Sequence, residues 1–164
     1  MLSECARAAS PEEARFRLDA PNSLARRIKI IALDRAAEDV NRRLAQQRWN
    51  AASFMTTAGR QSSRAIGDWL SDLAGERLNL LDQIGAADLV VTVSSAGAST
   101  DDAGVIAEAC GVHRVTMTAL VIDPECAPAA SLLETMMPLR AHAAMLVVAK
   151  GEEYVEAMLT ALRA

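Results

Sequence analysis

The chain has 164 residues, of which 51% are hydrophobic and only 3% aromatic, and a formal net charge of −4. That length fits one domain over residues 1–164, and a domain of roughly 150 residues buries about 68–70% of its surface, enough to fold without metal or disulfide staples. The charge is divided: residues 1–64 carry 12 Lys/Arg against 7 Asp/Glu and residues 65–164 carry 5 against 14, so the acidic part disfavours a nucleic-acid partner.

Cys5, Cys110 and Cys126 are odd in number and form no CxxC pair, which argues against a disulfide framework and for a reducing compartment, the cytoplasm. Met1 to Glu13 lacks the apolar run of a signal peptide, and the Ile30–Leu33 stretch is too short to span a bilayer, so no membrane partner is expected.

In chain order, residues 1–22 are polar, with Pro11 and Pro21 as punctuation and a short helix read over Glu12–Leu18. Asn22 and Ser23 are good N-caps, and a long amphipathic helix is expected from there to Arg48. Leu24, Ile28 and Ile31, then Leu33, Ala37, Val40 and Leu44, mark its apolar stripe. Asp34, Glu38 and Asp39 are interleaved with its seven cationic residues at ion-pair spacings, so a solvated face is expected there rather than a nucleic-acid surface. The surplus apolar stripe predicts a homodimer through this 23–48 helix.

Ser53–Thr57 leans to β and reads as a first strand, and residues 62–84 read as helix, broken near Ala74-Gly75, with a brief extra strand allowed at Leu78–Leu81. Asp88–Ser94 is a near-continuous apolar run, the mark of a strand covered on both faces. A helix from Asp101 to Cys110 follows, closed by Gly111 as a C-cap. Arg114–Ile122 reads as the third strand. Ser131 and Glu134 have capping-box spacing for a helix ending near Pro138, and Met145–Ala149 and Glu152–Leu162 supply the last strand and helix.

This alternation predicts a three-layer, Rossmann-like α/β domain. Its sheet has four parallel strands, or five with the extra one, over residues 51–164, and the helical segment 1–50 precedes it.

In such sheets ligands bind beyond the carboxyl ends of the strands, which places Ala58–Arg64, Ser94–Thr100 and Asp123–Ala129 at the expected edge. Ser94, Ser95, Gly97, Ser99 and Thr100 form the richest loop. Gly97 tolerates positive φ, the hydroxyls can donate to phosphate, and a helix N-terminus follows. The same residues also suit a plain capped turn, and Asp101 and Asp102 would oppose an anion. Arg60 and Arg64 are candidate charge partners for phosphate or carboxylate. Asp123 is a candidate base or ribose contact, and Cys126 a candidate exposed thiol.

No GxGxxG or P-loop pattern is present, so no standard dinucleotide or ATP site and no particular cofactor is implied. Two isolated histidines, His113 and His142, make no metal set, and Trp49 and Trp69 read as packing anchors. The expectation is a small-molecule-binding domain for an anionic, phosphorylated or nucleotide-like ligand. The alternative is a non-catalytic oligomeric or regulatory protein.

The segment Val93-Ser-Ser-Ala-Gly-Ala-Ser-Thr-Asp101 also resembles the Ser-x-Ser-Gly-x-Thr loop of sugar isomerase (SIS) phosphosugar-binding domains, with Ser94, Gly97 and Ser99 on matching positions. Ala96 stands where that family has its second serine, and Thr57 where its earlier loop has glycine. The resemblance implies a phosphosugar ligand as a further alternative.

Overall fold

The computed structural model describes residues 25–57, 69–123, 126–162 and 164. Its elements in chain order are β1 (Ile28–Ala32), α1 (Arg35–Leu44), β2 (Ala52–Thr56), β3 (Leu70–Asp72), β4 (Arg77–Leu78), α2 (Leu80–Gly85), β5 (Leu89–Ser95), α3 (Asp102–His113), β6 (Thr116–Ile122), α4 (Ala129–Arg140), β7 (Met145–Ala149) and α5 (Glu152–Ala161).

The strands form one sheet in the order β4-β3-β2-β1-β5-β6-β7. β2, β1, β5, β6 and β7 are parallel, and β3 and β4 extend the β2 edge as an antiparallel hairpin. Taken alone, the parallel strands follow the doubly wound order 2-1-3-4-5, whose direction reverses between β1 and β5.

β1 corrects the expected helix over 23–48. Ile28, Ile30 and Ile31 are β-branched and wholly buried, and Ile28 to Ala32 pair with β2 on one side and β5 on the other. A strand buried on both faces presents an unbroken apolar run, and here that run merges with the stripe of the helix behind it. Asp34 separates the two: its carboxylate accepts from Ala37 N–H at 2.9 Å as the N-cap of α1. The proposed boundary at residue 50 is corrected too, because β1 is central to the sheet. Of the apolar stripe that suggested a dimer through 23–48, Ile28, Ile31, Leu33, Ala37, Val40 and Leu44 are buried inside the protein's own core.

Strand alternation sends Ile28, Ile30 and Ala32 to a core under α1 and α5, and Ile31 to a second core under α2, α3 and α4. Trp69 is buried in the second core, while the Trp49 indole N–H donates to Leu44 O at 2.8 Å.

Other elements depart from the reading in detail. Within the described part of 62–84, the β3–β4 hairpin stands in place of helix up to Leu78, and helix is found from Leu80 on, as α2. Asp72 Oδ1 accepts from Ala74 N–H at 2.9 Å and Glu76 N–H at 2.8 Å, and Gly75 supplies φ of 91°. The helix expected to stop at Gly111 runs through it to His113, and Arg114 takes the left-handed cap at φ 56°. α4 begins at Ala129, with Pro128 at its N-cap, so Ser131 and Glu134 lie inside the helix and form no capping box. Pro138 also lies within it.

The charge interleaving on α1 is realised at Glu38, which is buried rather than solvated: it takes Arg42 at 2.5 Å and Arg35 at 3.2 Å, and Arg42 also donates to Leu73 O at 2.7 Å, tying α1 to the hairpin. Among the described residues no helix is long and apolar enough to cross a membrane.

At the opposite, amino edge of the sheet, Arg27 clamps Asp88 through its side chain at 2.8 Å and its backbone N–H at 2.9 Å, joining the starts of β1 and β5. The Arg27 side-chain hydrogen bond, aided by the backbone one, lowers the Asp88 carboxyl from 3.8 to about 2. A carboxyl depressed on folding stabilises fully above its unfolded value, and that contribution fades as pH falls towards the folded one. Urea titrations should therefore show the difference between the wild type and Asp88→Asn shrinking as pH drops from about 4 to about 2. Parallel pH curves for the two would contradict the linkage.

Candidate functional site

The carboxyl ends of β1 and β5 meet at the reversal of strand order, where an open α/β sheet offers its crevice. Here the protein's own Asp34 carboxylate fills the place an anion would take. Its Oδ2 accepts from Ser95 N–H at 2.7 Å, and its Oδ1 accepts from Ser95 Oγ at 3.0 Å and from Ala37 N–H. One side chain thus satisfies donors from the end of β5 and from the first turn of α1.

Within the rest of the Ser94–Thr100 loop, Gly97, Ser99 and Thr100 are engaged by the protein's own groups. Ser94 and Ser95 point to opposite faces, as neighbours on a strand must. Ser94 is wholly buried, and its hydroxyl has no hydrogen-bond partner among the described residues. Gly97 takes φ of 84°, as its residue type allows, but its N–H donates to Thr135 Oγ1 at 2.8 Å. Thr100 Oγ1 donates to Thr135 O at 3.3 Å, and Ser99 Oγ donates to Asp101 Oδ2 at 2.7 Å.

The loop is therefore fastened to α4 by buried Thr135, whose hydroxyl also reaches Ala98 O at 3.1 Å. Thr135→Val keeps the shape but removes the hydrogen bonds to Gly97 and Ala98, and should cost about 0.5–1.5 kcal/mol in denaturant unfolding. A change within a few tenths of a kcal/mol would mean the clamp is not formed.

On the α1 side of the same edge lies a cavity of about 680 Å³. Ala36, Asp39, Val40 and Arg43 of α1 form one wall. Ser95 and Ala96 lie at the end of β5, Ile122 and Asp123 at the end of β6, and Cys126, Ala127 and Pro128 close the far side. Asp123 is nearly buried; its Oδ1 accepts from Ala127 N–H at 2.7 Å, which ties Ala127 to the end of β6, with Cys126 at φ 52°. Cys126 is exposed, whereas Cys110 is buried in the core, where desolvation pushes its thiol up to about 11.

Arg43 is engaged by Glu152 at 2.7 Å. With Asp39 and Asp123 also present, the charged groups in and next to the cavity balance negative, and the remaining walls are largely apolar.

Of the residues expected at the site, Ser95 and Asp123 are brought together here. Ser94, Gly97, Ser99 and Thr100 are turned elsewhere, and Arg60 and Arg64 lie outside the described residues. Asp34, Asp39 and Arg43, expected only on the charged face of a helix, and Thr135 were not expected at the site. Asp34 carried a usable signal, an N-cap residue directly after an apolar run; Thr135 carried none, because its partners come from another part of the chain. Among the described residues no three His, Cys, Asp or Glu side chains converge on a metal position.

Fold and site together define a doubly wound α/β domain with a cavity at its carboxyl edge. No family model matches the chain, and no curated protein matches it.

Proposed function

We propose that this domain binds a small molecule in the cavity between α1 and the ends of β5 and β6. The observation that carries the reading is a cavity of about 680 Å³ at the edge where such sheets take ligands, within the roughly 300–1,000 Å³ usual for small-molecule sites.

Its chemistry favours a ligand with an apolar body along Val40, Ala96, Ile122 and Pro128 and a cationic or neutral donor group towards Asp39 and Asp123. A phosphorylated, nucleotide-like or phosphosugar ligand at the Ser94–Thr100 loop, the expectation from the loop alone, would have to displace Asp34 from Ser95 and Thr135 from Gly97. The reading belongs to a three-layer Rossmann-like domain working in a reducing, cytoplasmic setting, which suits a chain whose Cys110 and Cys126 are free thiols.

The test is a thermal-shift screen of the wild type and Ala36→Phe against amines, nucleosides, nucleotides and sugar phosphates. Ala36 is exposed at the cavity wall, so phenylalanine there blocks the space without entering the core. Amines or nucleosides should raise Tm by a few degrees in the wild type and by nothing in Ala36→Phe, whose own Tm stays close to the wild-type value. A rise given by phosphates alone, and retained in Ala36→Phe, would defeat the proposal.

A further inference from the structure

β7 closes one end of the sheet: among the described residues it pairs only with β6, leaving a row of backbone N–H and C=O groups along its other side. Soluble proteins guard such edges with charge, proline or a bulge. The β7 sequence Met-Leu-Val-Val-Ala carries no charge and no proline.

Six large apolar side chains stand exposed among the described residues, and five lie on β7 and the two helices beside it: Leu133 (51%), Met137 (62%), Met145 (43%), Val148 (38%) and Tyr154 (57%).

The helix contacts fix which way these side chains face. Thr135 reaches inward to the β5–α3 loop, and Leu133 and Met137 each lie two residues from it, about 160° round α4. They therefore face outward past β7. On the other face of the sheet, Glu152 and Gln47's partner Glu156 reach inward to α1. Tyr154 lies two residues from each, about 160° round α5, and so also faces outward. The free edge is flanked by apolar side chains above and below.

We propose that this edge is covered by a second copy of the chain, with β7 pairing antiparallel to its equivalent across a two-fold axis normal to the sheet. A closed pair of identical edges requires that axis and that strand direction. The axis keeps each face on its own side, so Leu133 and Met137 meet their equivalents on one face and Tyr154 meets its equivalent on the other.

The charges suit the same arrangement. Glu134, midway along α4, and Arg140, at its end, are exposed and form no ion pair among the described residues. Antiparallel α4 helices bring Arg140 of each copy to Glu134 of the other. The interface differs from one built on residues 23–48, and it does not depend on what the cavity binds.

The experiment is sedimentation equilibrium of the full chain over micromolar concentrations, with hydrogen exchange on the β7 amides. A dimer is expected, with slow exchange over 145–149. Leu133→Glu with Met137→Glu should raise the dimer dissociation constant about tenfold or more and speed that exchange, with the far-ultraviolet circular dichroism spectrum unchanged. Should that pair fail to fold, Arg140→Glu serves instead: it weakens the dimer, and adding Glu134→Arg restores it. A monomer, a dimer indifferent to these changes, or open-ended association would each overturn the proposal.

Discussion

Ile30→Ala is expected to destabilise the protein by about 2–5 kcal/mol, the range for truncating a buried aliphatic side chain. Ile30 is wholly buried at the middle of β1, in register with Phe54 of β2 and Val91 of β5, and belongs to the core under α1 and α5. Against the ~5–15 kcal/mol that holds a typical domain, this is a large share. Ile30→Val keeps the β-branch and most of the volume and should cost only about 0.5–1.5 kcal/mol. Urea unfolding of the two variants checks both values. A cost below about 1 kcal/mol for the alanine variant would contradict a central buried strand here and favour a surface helix.

Asp34→Ala should cost about 2–4 kcal/mol in the same assay, the sum of a lost helix cap and an orphaned Ser95 N–H. Asparagine separates the two contributions. It caps helices as well as aspartate does, but its amide nitrogen cannot accept from Ser95, so whatever Asp34→Asn costs reports the Ser95 link. Both variants should also weaken any ligand bound in the cavity, because Asp34 holds α1 against the end of β5 and both elements line it. An Asp34→Ala variant as stable as the wild type would mean that these donors are satisfied by other groups.

The strands that could be read directly were those whose signal is complete within one segment. Met145–Ala149 is found as expected, and Asp88–Ser94, Arg114–Ile122 and Ser53–Thr57 are found with ends moved by one or two residues. Each is a short apolar or β-leaning run bounded by turn residues, and the parallel arrangement follows from the helices between them.

β1 was hidden because Ile28 and Ile31 precede Leu33, Ala37, Val40 and Leu44 at spacings a helix also satisfies. Only Asp34, placed where a new helix would be capped, marks the change of period. The β3–β4 hairpin has three residues on one side and two on the other, too few to show any period, although Asp72 and Gly75 give its turn.

For the candidate site, the sheet edge was legible and the contacts were not. The carboxyl edge could be deduced from the alternation of strands and helices, which fixes strand direction without giving strand order. That Asp34 would take the Ser95 amide, across 61 positions of chain, and Thr135 the Gly97 amide, across 38, depends on which segments the fold brings together. No local pattern records that.

Amide chemical-shift mapping of a compound that raises Tm in the screen tests binding in the cavity most directly. Shifts gathered at Ala36–Arg43, Ser95, Ala96, Asp123 and Ala127, with Ser99 to Ala103 unmoved, are the predicted result. Shifts confined to Ser99 to Ala103, at the start of α3, would contradict it.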